Sequence, residues 1–278
     1  MNLSIAVVDY NTPESVIDDL LTSLDLAIVR LKAGYPSTSV AFYGIANGSA
    51  SFLLEQLAAR RFRTLDKVES RSGHGNIGFG RAHNLVIPDL TSDYHLILNP
   101  DVSLAPDALL EMVEYMEARD SVAAANPHCH DADGKRAYLL KSWPSFLVLL
   151  LRWQPWAAPR KLFRQRLDDY DMKANQTDTD FQGKALLSGC FFFVRTAVFR
   201  GLGGFSNKYF LYFEDFDLSC RICADHDVGY ASRAGIRHLG GKAGRKGTRH
   251  VLHFVRSASR FFSEHGLRSK LQDRFGAE

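Results

Sequence analysis

Residues 94–104, YHLILNPDVSL, hold the pattern that decides the fold. The apolar run 94–98 is typical of a strand that is buried on both faces, as the strands of parallel sheets are. Asn99, Pro100 and Asp101 follow it directly, and these residue types favour a turn. Open α/β sheets bind ligands outside the carboxyl ends of their strands, so Asp101 stands where a ligand is expected. Two interpretations stay open: a plain turn, or an aspartate that holds Mg²⁺ or Mn²⁺, hard cations that prefer oxygen ligands.

The N-terminal half of the chain alternates apolar strands with amphipathic helices. Apolar runs at 3–8 and 39–46 are typical of buried strands. Between them, Thr12 is predicted to cap a helix and Pro13 to take its first position. One face of that helix is apolar at helical spacing, namely Ile17, Leu20, Leu21, Leu24, Ile28 and Leu31. A glycine-rich loop at 73–80 and a short helix follow, so the pattern predicts a mainly parallel α/β sheet flanked by helices.

After about residue 126 the pattern changes. An Asp-Gly pair within 130–137 favours a tight turn, so this stretch is predicted to be a hairpin tip. The stretch 158–182 is polar and charged, and we interpret it as a mobile loop. The sequence then predicts a buried strand, a helix that begins with acidic residues and a final basic amphipathic helix, at 185–196, 214–225 and 249–266. Because no repeat or linker interrupts the chain, one domain is predicted for 1–278.

The composition excludes several classes of protein. A net charge of +3 over 278 residues, with a pI near 8.6, is too weakly basic to imply nucleic acid. No segment reaches the roughly 18 uninterrupted apolar residues of a membrane span. The first residues lack a basic leader region, so 1–11 is interpreted as a strand rather than a signal peptide. Cys220 and Cys223 form a lone CxxC, which we interpret as thiols on a helix in a reducing cytoplasm.

Three carboxylates follow the aromatic, apolar run at 209–213. These are Glu214, Asp215 and Asp217. Acidic residues at a helix N-terminus interact favourably with the helix dipole, which is the structural interpretation. Beside so much apolar surface they should also be partly desolvated, and desolvation raises the pKa of a carboxyl group and improves it as a general base. The sequence leaves both interpretations open.

The glycines Gly73, Gly75 and Gly78 match GxGxxG, the fingerprint of dinucleotide binding. That fingerprint should follow the first strand and precede an acid that ends the second strand. Here the glycines follow two strands, and Asp93 precedes a strand, so NAD binding is not predicted. The functional interpretation that remains is a loop whose backbone packs close to a phosphate or a sugar.

Basic residues are concentrated between 233 and 274, which suits an anionic substrate or a membrane surface. Within this region His238 follows a predicted strand. Arg245, Lys246 and Arg249 lie in a glycine-rich loop just after it. This loop is either a solvated surface loop or a clamp on a diphosphate, with His238 as a metal ligand.

Five segments together resemble the family 2 glycosyltransferases with the GT-A fold. They are VVDYN at 7–11, IANGS at 45–49, GNIGFGRAHN at 75–84, LILNPDVSLAPDAL at 96–109 and the long block at 187–222. The fourth resembles the family's Asp-x-Asp-like metal motif, and the fifth resembles its acceptor-side block, which ends in Glu-Asp. The resemblance covers most of the chain. It implies a Rossmann-like, mainly parallel central sheet and an inverting transfer of a sugar with Mg²⁺ or Mn²⁺.

Within the family, Asn-Pro-Asp at 99–101 and SWPSF at 142–146 resemble bacterial rhamnosyltransferases of O-antigen and cell-wall linker assembly. This implies dTDP-L-rhamnose as the nucleotide-sugar donor. It also implies a GlcNAc-diphospho-polyprenol acceptor, a lipid-diphosphate-linked sugar at the inner-membrane surface. The chain would then divide into a nucleotide-sugar-binding half, an acceptor and catalytic half, and a basic C-terminal tail of amphipathic helix, at 1–101, 102–240 and 241–278.

The resemblance also implies roles for single residues. Asp101 and His238 would hold the metal, Asp215 would be the catalytic base, and Glu214 would orient the acceptor. The residues expected to bind substrate are Tyr10, Asn11, Asn47, Asn76, Gly78, Phe79, Arg81, Asn84, Asn99 and Arg245. In one departure, Ala46 stands where the family usually has an aspartate that contacts the nucleotide base.

This departure leaves two alternatives, a transferase for another UDP- or GDP-sugar and a non-catalytic nucleotide-sugar-binding module. A further choice concerns the apolar stretch 146–156 and the aromatic residues Phe254, Phe261 and Phe262. They either contact membrane lipid or form core or dimer contacts. The inner-membrane surface and a homodimer are therefore both partners to test. The expected location is the cytoplasm, including the cytoplasmic face of the inner membrane.

Overall fold

The computed structural model describes residues 1–48, 51–59, 63–153, 157–240 and 248–266. The strands are β1 (Asn2–Asp9), β2 (Ser39–Ala46), β3 (Lys67–Arg71), β4 (Tyr94–Leu98), β5 (Val102–Leu104), β6 (Val122–Asp131), β7 (Arg136–Ala137), β8 (Phe181–Gly183), β9 (Phe191–Arg195) and β10 (Asp227–His238). The helices are α1 (Glu14–Gly34), α2 (Phe52–Ala59), α3 (Phe79–Asn84), α4 (Ala108–Glu117), α5 (Phe146–Trp153), α6 (Ala157–Leu162), α7 (Arg164–Tyr170), α8 (Thr196–Gly201), α9 (Glu214–Cys223) and α10 (Thr248–His265).

These strands form one sheet in the order β3-β2-β1-β4-β9-β6-β10-β5, with β7 beside β6 and β8 beside β10. β3, β2, β1 and β4 run parallel, as does β10 against β6, which confirms the predicted mainly parallel α/β sheet. β9 is inserted antiparallel between β4 and β6, and β5 runs antiparallel to β10. The hairpin predicted at 130–137 is confirmed as the turn from β6 to β7. The carboxyl ends of β1, β2, β4 and β10 therefore meet the amino ends of β9 and β5 at one edge, here called the site edge.

α1 packs on the sheet through the face that the sequence predicted. All six predicted residues are buried, and each such side chain contributes about 1.5–3 kcal/mol. The prediction that Thr12 caps this helix is wrong. Pro13 takes the cap position without a side-chain hydrogen bond, and the helix begins at Glu14. Thr12 instead donates its backbone N–H to Asp9 Oδ1 at 3.1 Å, because that aspartate organises the turn after β1.

The stretch 158–182 is not the loop that its polarity predicted. It forms α6, α7, a short 3₁₀ turn and β8, which pairs antiparallel with β10. The buried side chain of Gln176 anchors it by accepting the backbone N–H groups of Leu139 and Leu140 at 2.8 and 3.0 Å. Most of its other side chains are at least partly exposed, so its composition resembles that of a loop.

Beyond the sheet, α10 packs on α9 and on the segment before it. Phe261 is completely buried, among Trp143 and Phe213. Phe261 is therefore a core residue, and the membrane interpretation does not apply to it. Phe254 and Phe262 are half-buried against the same cluster. Among the residues described, no helix is long and apolar enough to cross a bilayer.

Candidate active site

The site edge begins with the turn after β1. Asp9 is fully buried, and its Oδ2 accepts the Ser51 hydroxyl at 2.6 Å. Tyr10 and Asn11 follow it and are exposed, with Asn11 in the left-handed region at a φ of 55°. Asp9 therefore fixes the turn that presents Tyr10 and Asn11. Sequence reasoning did not single out Asp9, although a charged residue directly after an apolar run was an available signal.

A cavity of about 420 Å³ opens beside the end of β2. Asn47 holds the glycine-rich loop next to it. Its Oδ1 accepts the Ile77 N–H at 3.0 Å, and its Nδ2 donates to Asn76 Oδ1 at 3.2 Å. The described lining offers hydroxyl and backbone groups without a charged side chain, and comprises Ala46, Gly48, Ser51, Leu54, Ser72, Gly73 and Gly75.

Gly78 lies against the backbone of the segment that precedes α9. Its φ is +92°, and a Cβ built on it would lie 2.4 Å from the carbonyl oxygen of Phe210. The next residue, Phe79, donates its N–H to that same carbonyl at 3.0 Å. The glycine-rich loop is thus attached directly to the segment before α9, at a distance that only glycine permits.

Arg81 and Asn84 make a second attachment from α3. Arg81 Nε donates to the carbonyl of Asn207 at 2.8 Å. Asn84 donates to the carbonyl of Phe205 at 2.7 Å and accepts its N–H at 2.9 Å. Both side chains hold the segment 205–207 in place, and their expected contact with substrate stays a prediction.

Asp101 and His238 meet because β5 pairs with β10, which sets Val102 opposite His238. Asp101 Oδ1 lies 3.2 Å from His238 Nε2, and the Asp101 carbonyl accepts the Leu239 N–H at 2.9 Å. Burial lowers the pKa of His238, but the Cys190 sulfur and the Asp101 carboxylate outweigh burial and raise this pKa to about 10. The raised pKa favours the protonated imidazole beside the Asp101 carboxylate.

The turn that begins β9 joins the Asn-Pro-Asp motif to the carboxylates of α9. The carbonyl of Cys190 accepts the Asn99 N–H at 2.8 Å. One residue earlier, the Gly189 N–H donates to Asp215 Oδ2 at 2.9 Å. Asn126 on β6 is buried and fixes this turn through hydrogen bonds to its backbone. Sequence reasoning did not single out Gly189 or Cys190, for which a Ser-Gly pair before a buried strand was the available signal.

Glu214 and Asp215 occupy the first turn of α9. Burial raises the pKa of Glu214, and the neighbouring Asp215 carboxylate raises it further. Burial also raises the pKa of Asp215, while the N–H groups of Gly189 and Phe216 oppose this rise. Asp215 therefore ionises before Glu214, because hydrogen bonds stabilise its charged form.

The backbone immediately before these carboxylates is strained. Tyr212 and Phe213 have φ values of 69° and 65°, a region that bulky residues rarely enter. Each such residue costs about 1–3 kcal/mol and persists only where the surrounding structure enforces it. The strain thus lies at the end of α9 that presents Glu214 and Asp215.

Two predicted substrate residues complete the placement. Asn99 is half-buried after β4, beside the turn that begins β9. Arg245 falls outside the described residues, so its expected role stays a prediction. All the other predicted residues lie at the site edge, on the glycine-rich loop or on α3.

A curled, mainly parallel central sheet flanked by helices is the architecture of a GT-A glycosyltransferase. The chain belongs to glycosyl transferase family 2, whose family model matches residues 46–203. It is 26% identical over 239 residues to the N-acetylglucosaminyl-diphospho-decaprenol L-rhamnosyltransferase of Mycobacterium tuberculosis (strain CDC 1551 / Oshkosh), across 79% of this chain and 70% of that protein. It is 24% identical to rhamnosyltransferase WbbL of Escherichia coli (strain K12), across 83% of this chain and 79% of that protein.

Solved structures share the fold. GalNAc-T7 with UDP, GalNAc and Mn²⁺ aligns with a TM-score of 0.63 at 15% identity, over 99% of this chain and 51% of that one. TarS of S. aureus in complex with UDP aligns with a TM-score of 0.57 at 13% identity, over 95% of this chain and 72% of that one. At these identities the similarity concerns the fold alone, and it confirms the expected GT-A architecture.

Proposed function

We propose that this glycosyltransferase is an inverting, metal-dependent rhamnosyltransferase. It would move L-rhamnose from dTDP-L-rhamnose to a GlcNAc-diphospho-polyprenol acceptor in bacterial cell-surface polysaccharide assembly. The observation that carries the proposal is the turn at 188–190, which ties Asn99 and Asp215 to the same site edge. The names of the two relatives support the sugar, and that of the mycobacterial enzyme supports the acceptor.

Asp101 and His238 fit a divalent cation that is bound together with the donor diphosphate. A Cβ built on Gly240 would lie 2.0 Å from Asp101 Oδ2 and 3.0 Å from His238 Nε2, so glycine keeps the space beside both ligand atoms open. A carboxylate and an imidazole, completed by diphosphate oxygens and water, suit Mg²⁺ or Mn²⁺. When bound, the cation stabilises charge on the leaving diphosphate. His238 would give up its proton in order to serve as a ligand.

Asp215 would be the general base of the reaction. The N–H groups of Gly189 and Phe216 orient its carboxylate and favour its ionised form. It would take the proton of the acceptor hydroxyl while that oxygen attacks the anomeric carbon and the bond from this carbon to the diphosphate breaks. Attack from the face opposite the leaving group inverts the configuration. Such base catalysis contributes roughly 10²–10⁴-fold.

Glu214 would orient the acceptor. It is buried, and its Oε2 has no hydrogen-bond partner within the described part of the chain. Because its pKa is raised by burial and by Asp215, the carboxyl group keeps its proton at a pH where Asp215 has lost one. A neutral Glu214 can both donate to and accept from a hydroxyl of the acceptor sugar, which would set the attacking oxygen against Asp215.

The cavity beside β2 is the proposed site of the nucleotide base. Ser51 and Ser72 line it, and Ala46 provides no carboxylate. The ring of thymine offers two carbonyl oxygens and one N–H, which hydroxyl and backbone groups can bind. Because Ala46 removes the aspartate usual in the family, a UDP- or GDP-sugar is the competing donor. Turnover measured with a panel of nucleotide sugars separates these alternatives.

A lipid-linked acceptor needs a surface that faces the membrane, and we propose the exposed side of α5, α6 and α7. Phe146 and Leu162 are 75% and 79% exposed, and Leu150, about one helical turn after Phe146, is also exposed. Among the exposed cations of α6 and α7 are Arg160, Lys161, Arg164 and Arg166. Apolar side chains among cations suit the boundary of an anionic membrane. This surface would hold the enzyme at the cytoplasmic face of the inner membrane.

The reaction is tested with purified protein, Mg²⁺ or Mn²⁺, dTDP-β-L-rhamnose and a short-chain GlcNAc-diphospho-lipid. Mass spectrometry should find the acceptor with one added deoxyhexose, and EDTA should abolish the product. Asp215→Asn should lower turnover about 10²–10⁴-fold while donor binding persists. Asp225→Asn, at an exposed position just after α9, is the matched control.

Retained turnover in Asp215→Asn would refute the assignment of the base. Product with another nucleotide sugar alone would correct the donor. Donor that binds with metal while no acceptor ever gains a sugar would identify a non-catalytic binding module.

The membrane surface is tested by flotation with vesicles that contain anionic phospholipid. The double change Phe146→Ser and Leu162→Ser should release the protein from the vesicles. Leu26→Ser is the matched control, because Leu26 is 53% exposed on α1 at a distance along the chain from this surface. Unchanged binding in the double variant, or equal loss in the control, would remove the surface from the proposal.

A further inference from the structure

Each residue of the segment 208–213, which leads into the catalytic helix α9, contacts α10. At its centre, the Ser257 hydroxyl donates to the carbonyl of Leu211 at 2.8 Å. Next to it, the Tyr212 hydroxyl lies 3.1 Å from His250 Nδ1. These polar contacts act on the backbone and the side chains of the strained turn itself.

The remaining contacts extend along the whole segment. Lys208 Nζ pairs with a carboxylate oxygen of Glu264 on α10 at 2.8 Å, and Tyr209 reaches the same carboxylate. The ring of Phe210 stacks on that of His253 at 4.7 Å. The rings of Phe213 and Phe261 lie 5.3 Å apart, and His265 Nε2 lies 2.8 Å from Asp217 Oδ1 on α9, as part of the same face of contacts.

The segment needs such support because its conformation is unfavourable on its own. Tyr212 and Phe213 both have a left-handed backbone, although neither is a glycine. Left-handed bulky residues persist only where neighbouring structure enforces them. α3 supports one side of the segment, since Phe79 donates its N–H to the carbonyl of Phe210. α10 supports the other side, where the ring of His253 stacks on that of Phe210.

We propose that α10 is a positioning element of the active site, which holds 208–213 in the left-handed conformation that aims Glu214 and Asp215. Ser257 is its positioning residue, since its hydrogen bond is made to the backbone of the strained turn. The part of this inference that concerns catalysis rests on the proposed function of Asp215. The part that concerns the turn does not.

Ser257 separates positioning from folding. Its side chain is buried, but Phe261 and the aromatic cluster around it account for the packing of α10. Ser257→Ala keeps that packing and removes one hydrogen bond. Ser259→Ala, on the exposed side of the same helix, is the matched control. Ser257→Thr keeps the hydroxyl group and serves as the conservative variant.

The full-length variants are compared by steady-state kinetics and by amide hydrogen exchange. Ser257→Ala should lower kcat about three- to tenfold, the equivalent of one hydrogen bond, with the donor KM unchanged. Exchange at 210–216 should accelerate by a similar factor, since local opening becomes easier. Ser257→Thr should restore both values, and Ser259→Ala should change neither.

A kcat of Ser257→Ala within twofold of the wild-type value, or equal to that of Ser259→Ala, would overturn the inference. So would unchanged exchange at 210–216, whatever the kinetics. If the unaltered protein turns over no donor, the proposed function fails on its own. Faster exchange in Ser257→Ala would then still support the positioning of the turn.

Discussion

Gly78→Ala should destabilise the protein and slow turnover, because position 78 has no room for a methyl group. A Cβ there would lie 2.4 Å from the carbonyl oxygen of Phe210 and 3.0 Å from its Cα. The φ of +92° alone costs alanine about 1–3 kcal/mol. To relieve the contact, the Phe210 carbonyl must move and lose the N–H of Phe79, at a further cost of about 1 kcal/mol. The expected total is about 2–4 kcal/mol.

Gly75→Ala is the matched control. Gly75 also has a positive φ, +65°, but no atom lies within 4 Å of a Cβ built on it, so only a conformational cost of about 1–2 kcal/mol applies. Urea unfolding measures the difference between the two variants. Because Phe210 leads into the strained turn before Glu214, its displacement should lower kcat by up to about 10²-fold in Gly78→Ala only. Equal unfolding midpoints and equal kcat in the two variants would refute the reasoning.

Three further predictions concern other parts of the molecule. Gly240→Ala should abolish the Mn²⁺-dependent part of dTDP binding in calorimetry, because its methyl group fills the space beside Asp101 and His238. Gly235→Ala is the control and should leave this binding unchanged, since a Cβ at 235 would lie 3.5 Å from its nearest neighbour, an ordinary contact distance. Burial lowers the pKa of His95 from 6.5 to about 3, so the unfolded chain binds this proton first and stability is lost as the pH falls below 6.5. At pH 5 the loss is about 2 kcal/mol. Between pH 7 and pH 5, the free energy of unfolding measured in urea should therefore fall by about 2 kcal/mol less in His95→Gln than in the wild-type protein. An equal fall in the two proteins would contradict this. Gln176→Leu should lower the free energy of unfolding by about 2–5 kcal/mol, because two buried backbone N–H groups lose their acceptor, whereas the exposed Gln165→Leu should change it by less than about 0.5 kcal/mol.

Local periodicity explains the parts of the fold that the sequence predicts. The strands before Asp9 and Asn99 are continuous apolar runs, and the buried face of α1 has helical spacing. Both patterns arise because the residues that carry them are themselves the buried ones, so the local sequence is enough to predict them. The arrival of strand ends at one edge follows from parallel pairing, which alternation of strands and helices predicts.

Contacts between distant segments account for what the sequence does not predict. The role of Gly189 depends on the antiparallel insertion of β9 beside β4, which no local pattern encodes. The helices of 158–182 depend on Gln176, a polar residue whose hydrogen bonds lie with the chain near Leu139. Thr12 lies outside the helix cap, and its backbone N–H donates to Asp9 Oδ1 in the turn after β1. At Gly189 and Gln176 a hydrogen bond between distant segments decides the structure, and no local pattern encodes it.

The turn at 188–190 also limits how the enzyme can be recombined with its relatives. Its two adjacent backbone groups serve Asn99 on one side and Asp215 on the other. A chimaera with a crossover between 190 and 215 would pair the turn of one parent with the carboxylate of the other. The contact between them is tight, because a Cβ built on Gly189 would lie 3.3 Å from the Cβ of Asp215. Exchange of the whole block 187–222 together with α10 keeps the turn matched to Asp215 and keeps the segment before α9 matched to the helix that supports it.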